Sequence, residues 1–116
     1  PTSDGTGVRD YIHVMDLAEG HIRALESGII DSGAKIWNLG TGKGASVMEV
    51  VEAFENACGH NISMAIMPRR QGDVSECWAD PSKAKTELDW SADRDLRVMV
   101  RDTWNWQSNN PNGYDD

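Results

Sequence analysis

Apolar side chains recur at the three- and four-residue spacing of a helix face in two stretches of the first half of the chain. The first stretch follows Asp16, which we expect to cap a helix together with Glu19, and Gly28 ends it. The second is predicted to begin after Ser46, with Glu49 completing a capping box, and to run to about residue 57. The apolar faces of these helices are Leu17, Ala18, Ile22 and Leu25, and Val47, Val50, Val51 and Phe54.

The second half of the chain predicts two further helices. The pair Asp80-Pro81 is typical of an N-cap followed by proline at the first helical position, so a short helix is expected from there to Leu88. The last helix is predicted to begin at Asp93 or Asp95 and to run to about residue 107. Its helically spaced residues are Leu96, Val100, Thr103 and Trp104.

Three short stretches with β-branched, aromatic or other apolar residues are predicted to be strands. They cover residues 9–14 (RDYIHV), 34–39 (AKIWNL) and 62–67 (ISMAIM). With the helices they predict an α/β chain of about three short strands and four helices.

A glycine-rich segment, GTGKGA at residues 40–45, stands between a predicted strand and a predicted helix. Its glycine spacing fits neither the phosphate loop of nucleotide triphosphatases nor the dinucleotide-binding fingerprint. A tight strand-to-helix turn is the plainer interpretation.

Residues 67–80 (MPRRQGDVSECWAD) contain a proline and a glycine that argue against regular helix or strand. Within them Arg69 and Arg70 are adjacent, and Asp73 follows. An arginine fork matches a phosphate or carboxylate bidentately, and a carboxylate accepts from hydroxyls such as those of a ribose. The alternative is an Arg–Asp surface pair, which stabilises a protein very little. The pattern leaves both interpretations open.

The composition limits the classes of partner. The chain has 116 residues, enough for one domain, and a net charge of −8 with no basic face, which argues against nucleic acid and anionic membranes as partners. Its apolar runs are too short for a membrane span. The two cysteines lack metal-site spacing, so no metal is expected, and their scarcity favours the reducing cytoplasm.

Six segments carry a family resemblance, and they occur in order along essentially the whole chain: GTGVRDYIHVMDL, WNLG, PRRQGD, WAD, KAKTEL and DTWNWQ. They resemble the C-terminal part of the UDP-glucose 4-epimerases, which belong to the extended short-chain dehydrogenase/reductase superfamily. The resemblance implies that residues 1–116 are the UDP-sugar-binding region of a longer enzyme that interconverts UDP-glucose and UDP-galactose.

The same resemblance assigns roles to five residues. It implies that Arg9 and Arg70 contact the diphosphate, that Asp73 contacts the uridine ribose, and that Val47 touches the nucleoside. Cys77 stands where some family members carry a bulky tyrosine over the sugar ring. A small residue leaves room for an N-acetyl group, so UDP-N-acetylhexosamines are expected to be accepted as well. The alternative is that Cys77 only packs, as free cysteines usually do.

The family's catalytic parts are not found in this sequence. Tyr11 is followed four residues later by Met15 rather than lysine, and no dinucleotide fingerprint is present. The resemblance implies that an N-terminal Rossmann domain, absent here, binds NAD and carries out hydride transfer. The chain alone is therefore expected to hold no catalytic residue, to bind no cofactor and to be inactive.

The resemblance also implies a cytoplasmic homodimer for the full-length enzyme. In this superfamily the first helix and the WNLG segment look like elements that dock on the dinucleotide-binding sheet, so the isolated chain is expected to be marginally stable or to self-associate. Two alternatives remain open, namely a free-standing module that binds a nucleotide sugar without catalysis, and part of a related UDP-sugar dehydratase or decarboxylase.

Overall fold

The computed structural model describes residues 2–28 and 33–114. Within these ranges the chain forms four helices and three very short strands, in the numbers that the sequence predicts. In chain order they are β1 (Val8–Arg9), α1 (Val14–Glu26), β2 (Ala45–Ser46), α2 (Val47–Cys58), β3 (Glu76–Cys77), α3 (Ser82–Leu88) and α4 (Leu96–Asn109).

The three strands form one mixed sheet in the order β2-β1-β3. β1 pairs antiparallel with β2, where Arg9 lies opposite Ala45. On its other side β1 pairs parallel with β3, where Arg9 lies opposite Cys77. Two backbone bonds extend this pairing, because the N–H of Val8 donates to the carbonyl of Ser75 (2.9 Å) and that of Val47 to the carbonyl of Gly7 (3.1 Å).

The predicted strands are largely wrong in position. Only Arg9 of residues 9–14 is in the sheet, and residues 34–39 and 62–67 form no strand in the described part of the chain. β3 instead lies inside residues 67–80, where no regular structure was expected. Strand formation depends on a partner as well as on composition, and the apolar run 62–67 has none, so Ile66 remains fully exposed.

Helix α1 begins earlier than predicted because His13 is its cap, not Asp16 with Glu19. The Nδ1 atom of His13 accepts from the N–H of Met15 (3.0 Å), which requires that the neutral ring carries its proton on Nε2. Nε2 then donates to the Asp102 carboxylate of α4 (3.2 Å).

The start of α2 is confirmed. The N–H of Glu49 donates to the Ser46 hydroxyl (3.0 Å), and the N–H of Ser46 donates to the Glu49 carboxylate (2.7 Å). The helix ends at Gly59, whose φ of 76° lies in the left-handed region that glycine adopts easily.

The later helices begin at or near the predicted residues. Asp95 caps α4 as one of the two expected residues, and its carboxylate accepts from the N–H of Val98 (3.0 Å). Helix α3 begins one residue later than predicted, with Pro81 at the cap position. The Asp80 carboxylate nevertheless accepts from the N–H of Ser82 (3.0 Å).

A small core lies between α1, α3 and the extended residues 34–39. Ala84, Leu88 and Trp90 are buried in it, and the Trp90 ring nitrogen donates to the carbonyl of Asp16 (3.0 Å). The partly buried side chains that pack on this core are Ile12, Ala24, Trp37, Leu39 and Ala92. Among the described residues, no helix has the length and apolar character needed to cross a membrane.

Candidate functional site

Arg9 lies where the sheet meets residues 68–75, the segment before β3 that contains Arg69 and Arg70 and that we call the arginine-containing loop. Its guanidinium group donates to the carbonyl oxygens of Val8 (2.7 Å) and Val74 (2.9 Å). These bonds hold the side chain along the segment that leads into β3. The pairing of β1 with β3 places Cys77, an exposed free thiol, directly across from Arg9.

The Asp73 carboxylate links Arg9 to the loop. The Nε atom of Arg70 donates to it at 2.9 Å, and an Nη atom of Arg9 lies 4.0 Å away. Arg69 donates to the backbone carbonyl of the same residue. The Arg–Asp surface pair that the sequence left open is therefore present, in a loop that also brings two guanidinium groups from distant parts of the chain to one carboxylate.

The Arg70–Asp73 pair is weakly held, which matters for its chemistry. The Arg70 side chain is 85% exposed, and an ion pair in such a position contributes only about 0–1 kcal/mol to stability. A doubly charged phosphate group could therefore replace the Asp73 carboxylate at little cost. The loop is compatible with a surface ion pair and with an anion site, because Asp73 can pair with Arg70 until an anion takes its place.

Among the five residues to which the resemblance assigns a role, Val47 is separated from the other four. It follows β2 as the first residue of α2, and its side chain is 44% exposed. Because β2 and β3 lie on opposite sides of β1, the width of β1 separates Val47 from Cys77. The structure thus places Arg70, Asp73 and Cys77 in the segment on the β3 side of Arg9, and Val47 in the segment on the β2 side.

The glycine-rich turn at residues 40–45 does bind an anion, but the anion is the chain's own Asp10. The N–H groups of Thr41 (2.9 Å) and Gly42 (3.0 Å) and the Thr41 hydroxyl (2.6 Å) all donate to the Asp10 carboxylate. The N–H of Ala79 is a fourth donor, at 3.2 Å.

Partial burial of the Asp10 carboxylate opposes its ionisation, yet the bonds from Thr41, Ala79 and Gly42 outweigh that effect and lower its pKa below the usual value.

These bonds also test whether the turn fits a dinucleotide cofactor. A pyrophosphate would need the same N–H groups of Thr41 and Gly42, and both already donate to Asp10. The turn therefore does not fit NAD. Sequence reasoning missed Asp10 because an aspartate near a glycine-rich turn is a weak signal until the fold brings the two together.

A second acidic residue that sequence reasoning misplaced is Asp16. It is 1% exposed, and its carboxylate accepts from the side chain and the backbone N–H of Arg94. Arg94 also donates to Glu19 at 3.0 Å, and the hydrogen bonds that its guanidinium donates to Glu19 and Asp16 raise the pKa of Arg94. This group ties α1 to the start of α4 and lies apart from the arginine-containing loop.

Comparison with known proteins gives this arrangement a context. The model of the family described as GDP-mannose 4,6 dehydratase matches residues 2–103 of the chain. The chain belongs to this family. Within the family, it is 57% identical over 114 residues to UDP-glucose 4-epimerase of Bacillus subtilis, a match that covers 98% of this chain and 34% of that protein.

Solved structures of epimerases have the same fold. UDP-glucose 4-epimerase from Bifidobacterium longum, in complex with NAD+ and UDP, matches with a TM-score of 0.92 and 53% identity over 97% of this chain and 33% of that one. The UDP-Glc/GlcNAc 4-epimerase from Campylobacter jejuni matches with a TM-score of 0.79 and 34% identity over 93% of this chain and 33% of that one.

These matches confirm the resemblance that the sequence motifs carry. They also confirm the fold class, because the neighbours of this family member are epimerases of the short-chain dehydrogenase/reductase type. The chain spans about a third of the length of the curated relatives it matches.

Proposed function

We propose that the chain is the UDP-sugar-binding part of an NAD-dependent UDP-glucose 4-epimerase. The observation that carries this proposal is the meeting of Arg9 and Arg70 at Asp73, in a fold that matches a UDP-bound epimerase with a TM-score of 0.92. Two arginines from different parts of the chain within reach of one anionic group are what recognition of a diphosphate requires.

Binding in this proposal is an exchange of partners. The diphosphate takes the place of the Asp73 carboxylate on Arg70 and approaches Arg9 from the exposed side of the sheet. Asp73 is then released to accept hydrogen bonds from the two hydroxyls of the uridine ribose. Val47, on the other side of β1, contacts the nucleoside, and Cys77 borders the space taken by the sugar ring.

The part of the reaction assigned to this chain is orientation. Holding the nucleotide through remote contacts fixes the reacting sugar carbon without the chain touching it. Hydride transfer and the binding of NAD belong, in this proposal, to the remaining two thirds of an epimerase, so the 116-residue chain alone is inactive. The complete enzyme is proposed to be a cytoplasmic homodimer.

The substrate range is proposed to include UDP-N-acetylhexosamines beside UDP-glucose and UDP-galactose. Cys77 is small and exposed, and it stands directly opposite Arg9 on the neighbouring strand. A group at the sugar's C2 position would therefore meet a thiol instead of a bulky ring.

A chimeric enzyme tests the main proposal. In the Bacillus subtilis epimerase, the segment that matches this chain is replaced by the chain itself, and interconversion of UDP-galactose and UDP-glucose is measured. We expect the chimera to be active. Arg70→Ala should raise the KM for UDP-galactose by about tenfold or more, because a charge-assisted bond contributes about 1.5–3 kcal/mol. Lys85→Ala, which removes an exposed cation from α3, is the matched control and should leave KM unchanged.

Other outcomes of the same assay identify the alternatives. The catalytic part of the chimera is that of an epimerase, so a change of reaction type is not expected from exchanging this segment. A chimera that retains NAD and binds UDP but interconverts no sugar would favour the two alternatives, a binding module or part of a related dehydratase, to which the name of the matching family model points. A folded chimera that fails to bind UDP contradicts the proposal altogether.

A further inference from the structure

We propose that Asp10 is a positioning residue for the UDP-sugar site, one that keeps β3, and with it Cys77, in register against Arg9. This inference rests on the function proposed above. It starts from the position of Asp10 in the chain, immediately after Arg9, at the point where all three strands of the sheet end or begin.

The sheet by itself is too small to hold this register. β1 pairs with β3 through only two residue pairs, Val8 with Glu76 and Arg9 with Cys77. Even a two-stranded sheet of ordinary strand length is marginal in water without further packing. Both paired residues of β3 are exposed, so burial of their side chains adds little to the pairing.

The Asp10 carboxylate supplies what the short strands lack. One of its oxygens accepts from the backbone N–H and the hydroxyl of Thr41, and the other accepts from the N–H groups of Gly42 and Ala79. Ala79 lies two residues after Cys77, and the glycine-rich turn precedes β2. A single carboxylate therefore fixes the segments beside both outer strands of the sheet.

The surrounding backbone is shaped to let Asp10 reach these donors. A Cβ atom on Gly40 would lie 2.5 Å from an Asp10 carboxylate oxygen and 2.7 Å from the Cβ of Ala79. Glycine at residue 40 thus permits the close approach of the turn, Asp10 and the segment after β3. A larger residue there would push them apart.

The charge of Asp10 is also consistent with a place beside a diphosphate site. Arg9 and Asp10 are neighbours in extended backbone, where successive side chains point to opposite faces. The Arg9 guanidinium lies along residues 74 and 75, whereas the Asp10 carboxylate faces the glycine-rich turn. Four donors compensate the carboxylate, so it does not act as a bare negative charge that repels the ligand.

The test compares Asp10→Asn with Asp16→Asn in the chimeric enzyme. Both substitutions remove a carboxylate that ties separate segments, but the hydrogen bonds of the Asp16 carboxylate go to the backbone N–H and the guanidinium of Arg94, and none of them reaches β3. We expect Asp10→Asn to raise the KM for UDP-galactose and the inhibition constant of UDP by about tenfold while kcat changes by less than about threefold. Asp16→Asn should lower the melting temperature with KM changed by less than about twofold.

A milder variant covers the case in which Asp10→Asn fails to fold. Thr41→Val removes one of the four donors, the hydroxyl at 2.6 Å, and keeps the shape of the side chain. It should raise KM by a smaller factor, again with kcat nearly unchanged. If Asp10→Asn loses thermal stability but binds UDP as the parent chimera does, Asp10 is structural only and the inference is overturned. Where Asp10→Asn does not fold, the same result for Thr41→Val overturns it.

The inference and the proposed function fail in distinguishable ways. If the parent chimera binds UDP and the Asp10 and Thr41 variants bind it equally well, only the inference fails. If the parent chimera folds and does not bind UDP, the proposed function fails and the role given to Asp10 fails with it.

Discussion

Asp73 holds two arginines that lie more than sixty residues apart in the chain, and this is the feature on which the proposed chemistry depends. The bond from Arg70 to Asp73 is short but exposed, whereas the Arg9 guanidinium is fixed by backbone carbonyls. Binding of a diphosphate would therefore reorganise Arg70 much more than Arg9. Arg9 is thus preorganised for binding and Arg70 is not, and substitutions of these two arginines should affect binding differently.

Cys77 is the residue at which substrate range can be tested. Replacing Cys77 by Tyr in the chimera places a bulky ring opposite Arg9. We expect activity on UDP-N-acetylglucosamine to fall by about tenfold or more, and activity on UDP-galactose to change by less than about threefold, because only the N-acetyl group needs the space. Steady-state assays with both substrates measure the ratio. Cys58→Tyr near the end of α2 is a control outside the site, and equal losses on both substrates with Cys77→Tyr would refute the size argument.

The lowered pKa of Asp10 leads to a prediction of how the stability of the 116-residue chain depends on pH. Its folded-state pKa is lowered, so it stabilises the fold above the pKa of the unfolded chain, about 3.9, and this stabilisation is lost as pH falls through the lower folded value. The melting temperatures of the native chain and of Asp10→Asn should therefore differ more at about pH 6 than at about pH 3. Thermal denaturation followed by circular dichroism measures this difference, and a gap that is the same at both pH values would contradict it.

At the scale of single residues, the sequence motifs identified the charged residues of the loop but not the bonds between them. Arg70 and Asp73 were singled out from the residues of the loop and Arg9 through the resemblance, and the structure brings the three together. The roles of Asp10 and His13 depend on contacts with residues 31 and 89 positions away, and a short sequence pattern contains no information about such contacts.

At the scale of the elements, local signals explain why the helices were easier to predict than the strands. The capping box of α2 and the cap of α4 involve residues three apart, so their geometry is set by the adjacent sequence. The sheet depends on pairing between residues about seventy positions apart, and two-residue strands are too short to have a recognisable strand composition. Residues 34–39 resemble a strand because Ile36, Trp37 and Leu39 are apolar, and in the structure Trp37 and Leu39 pack against the core instead.

The capping box gives a test at this scale. Ser46→Ala removes the acceptor for the N–H of Glu49 and also the hydroxyl that donates to Asp4 at 2.5 Å. We expect the free energy of unfolding to fall by about 1–2 kcal/mol, as for other N-cap serines. Urea denaturation followed by circular dichroism measures it. Ser63→Ala, in the exposed segment 62–67, should have almost no effect, and equal midpoints for the two variants would count against the cap.

At the scale of the whole molecule, the chain exposes more surface than its size calls for. Its accessible surface is 8936 Å², compared with about 6,300 Å² for a typical folded protein of 12.8 kDa. Its radius of gyration is 17.1 Å, compared with about 13 Å for a compact domain of this length. Large apolar side chains account for part of the excess, because Leu25 is 81% exposed and Ile36 is 74% exposed.

This exposed surface leads to a prediction about the isolated chain. Leu25 lies near the end of α1 and Ile36 in the extended residues 34–39, the two elements expected to dock on a dinucleotide-binding sheet. Exposed apolar side chains that a missing partner would cover promote association. We therefore expect the chain to self-associate as its concentration rises, with a broad thermal transition that shifts with concentration. Sedimentation velocity and calorimetry over a wide concentration range measure both effects.

A double variant identifies which surface drives the association. Leu25→Glu with Ile36→Lys places charges on side chains that are already exposed, so the fold should be retained while the sedimentation coefficient becomes independent of concentration. Two substitutions in α2, Glu52→Lys and Glu55→Lys, change the charge without removing apolar surface and should leave association in place. In the chimera we expect the other part of the enzyme to cover Leu25 and Ile36, so there the double variant should instead lower the stability of the enzyme. A native chain that remains monomeric with a sharp, concentration-independent transition would mean that this surface needs no partner.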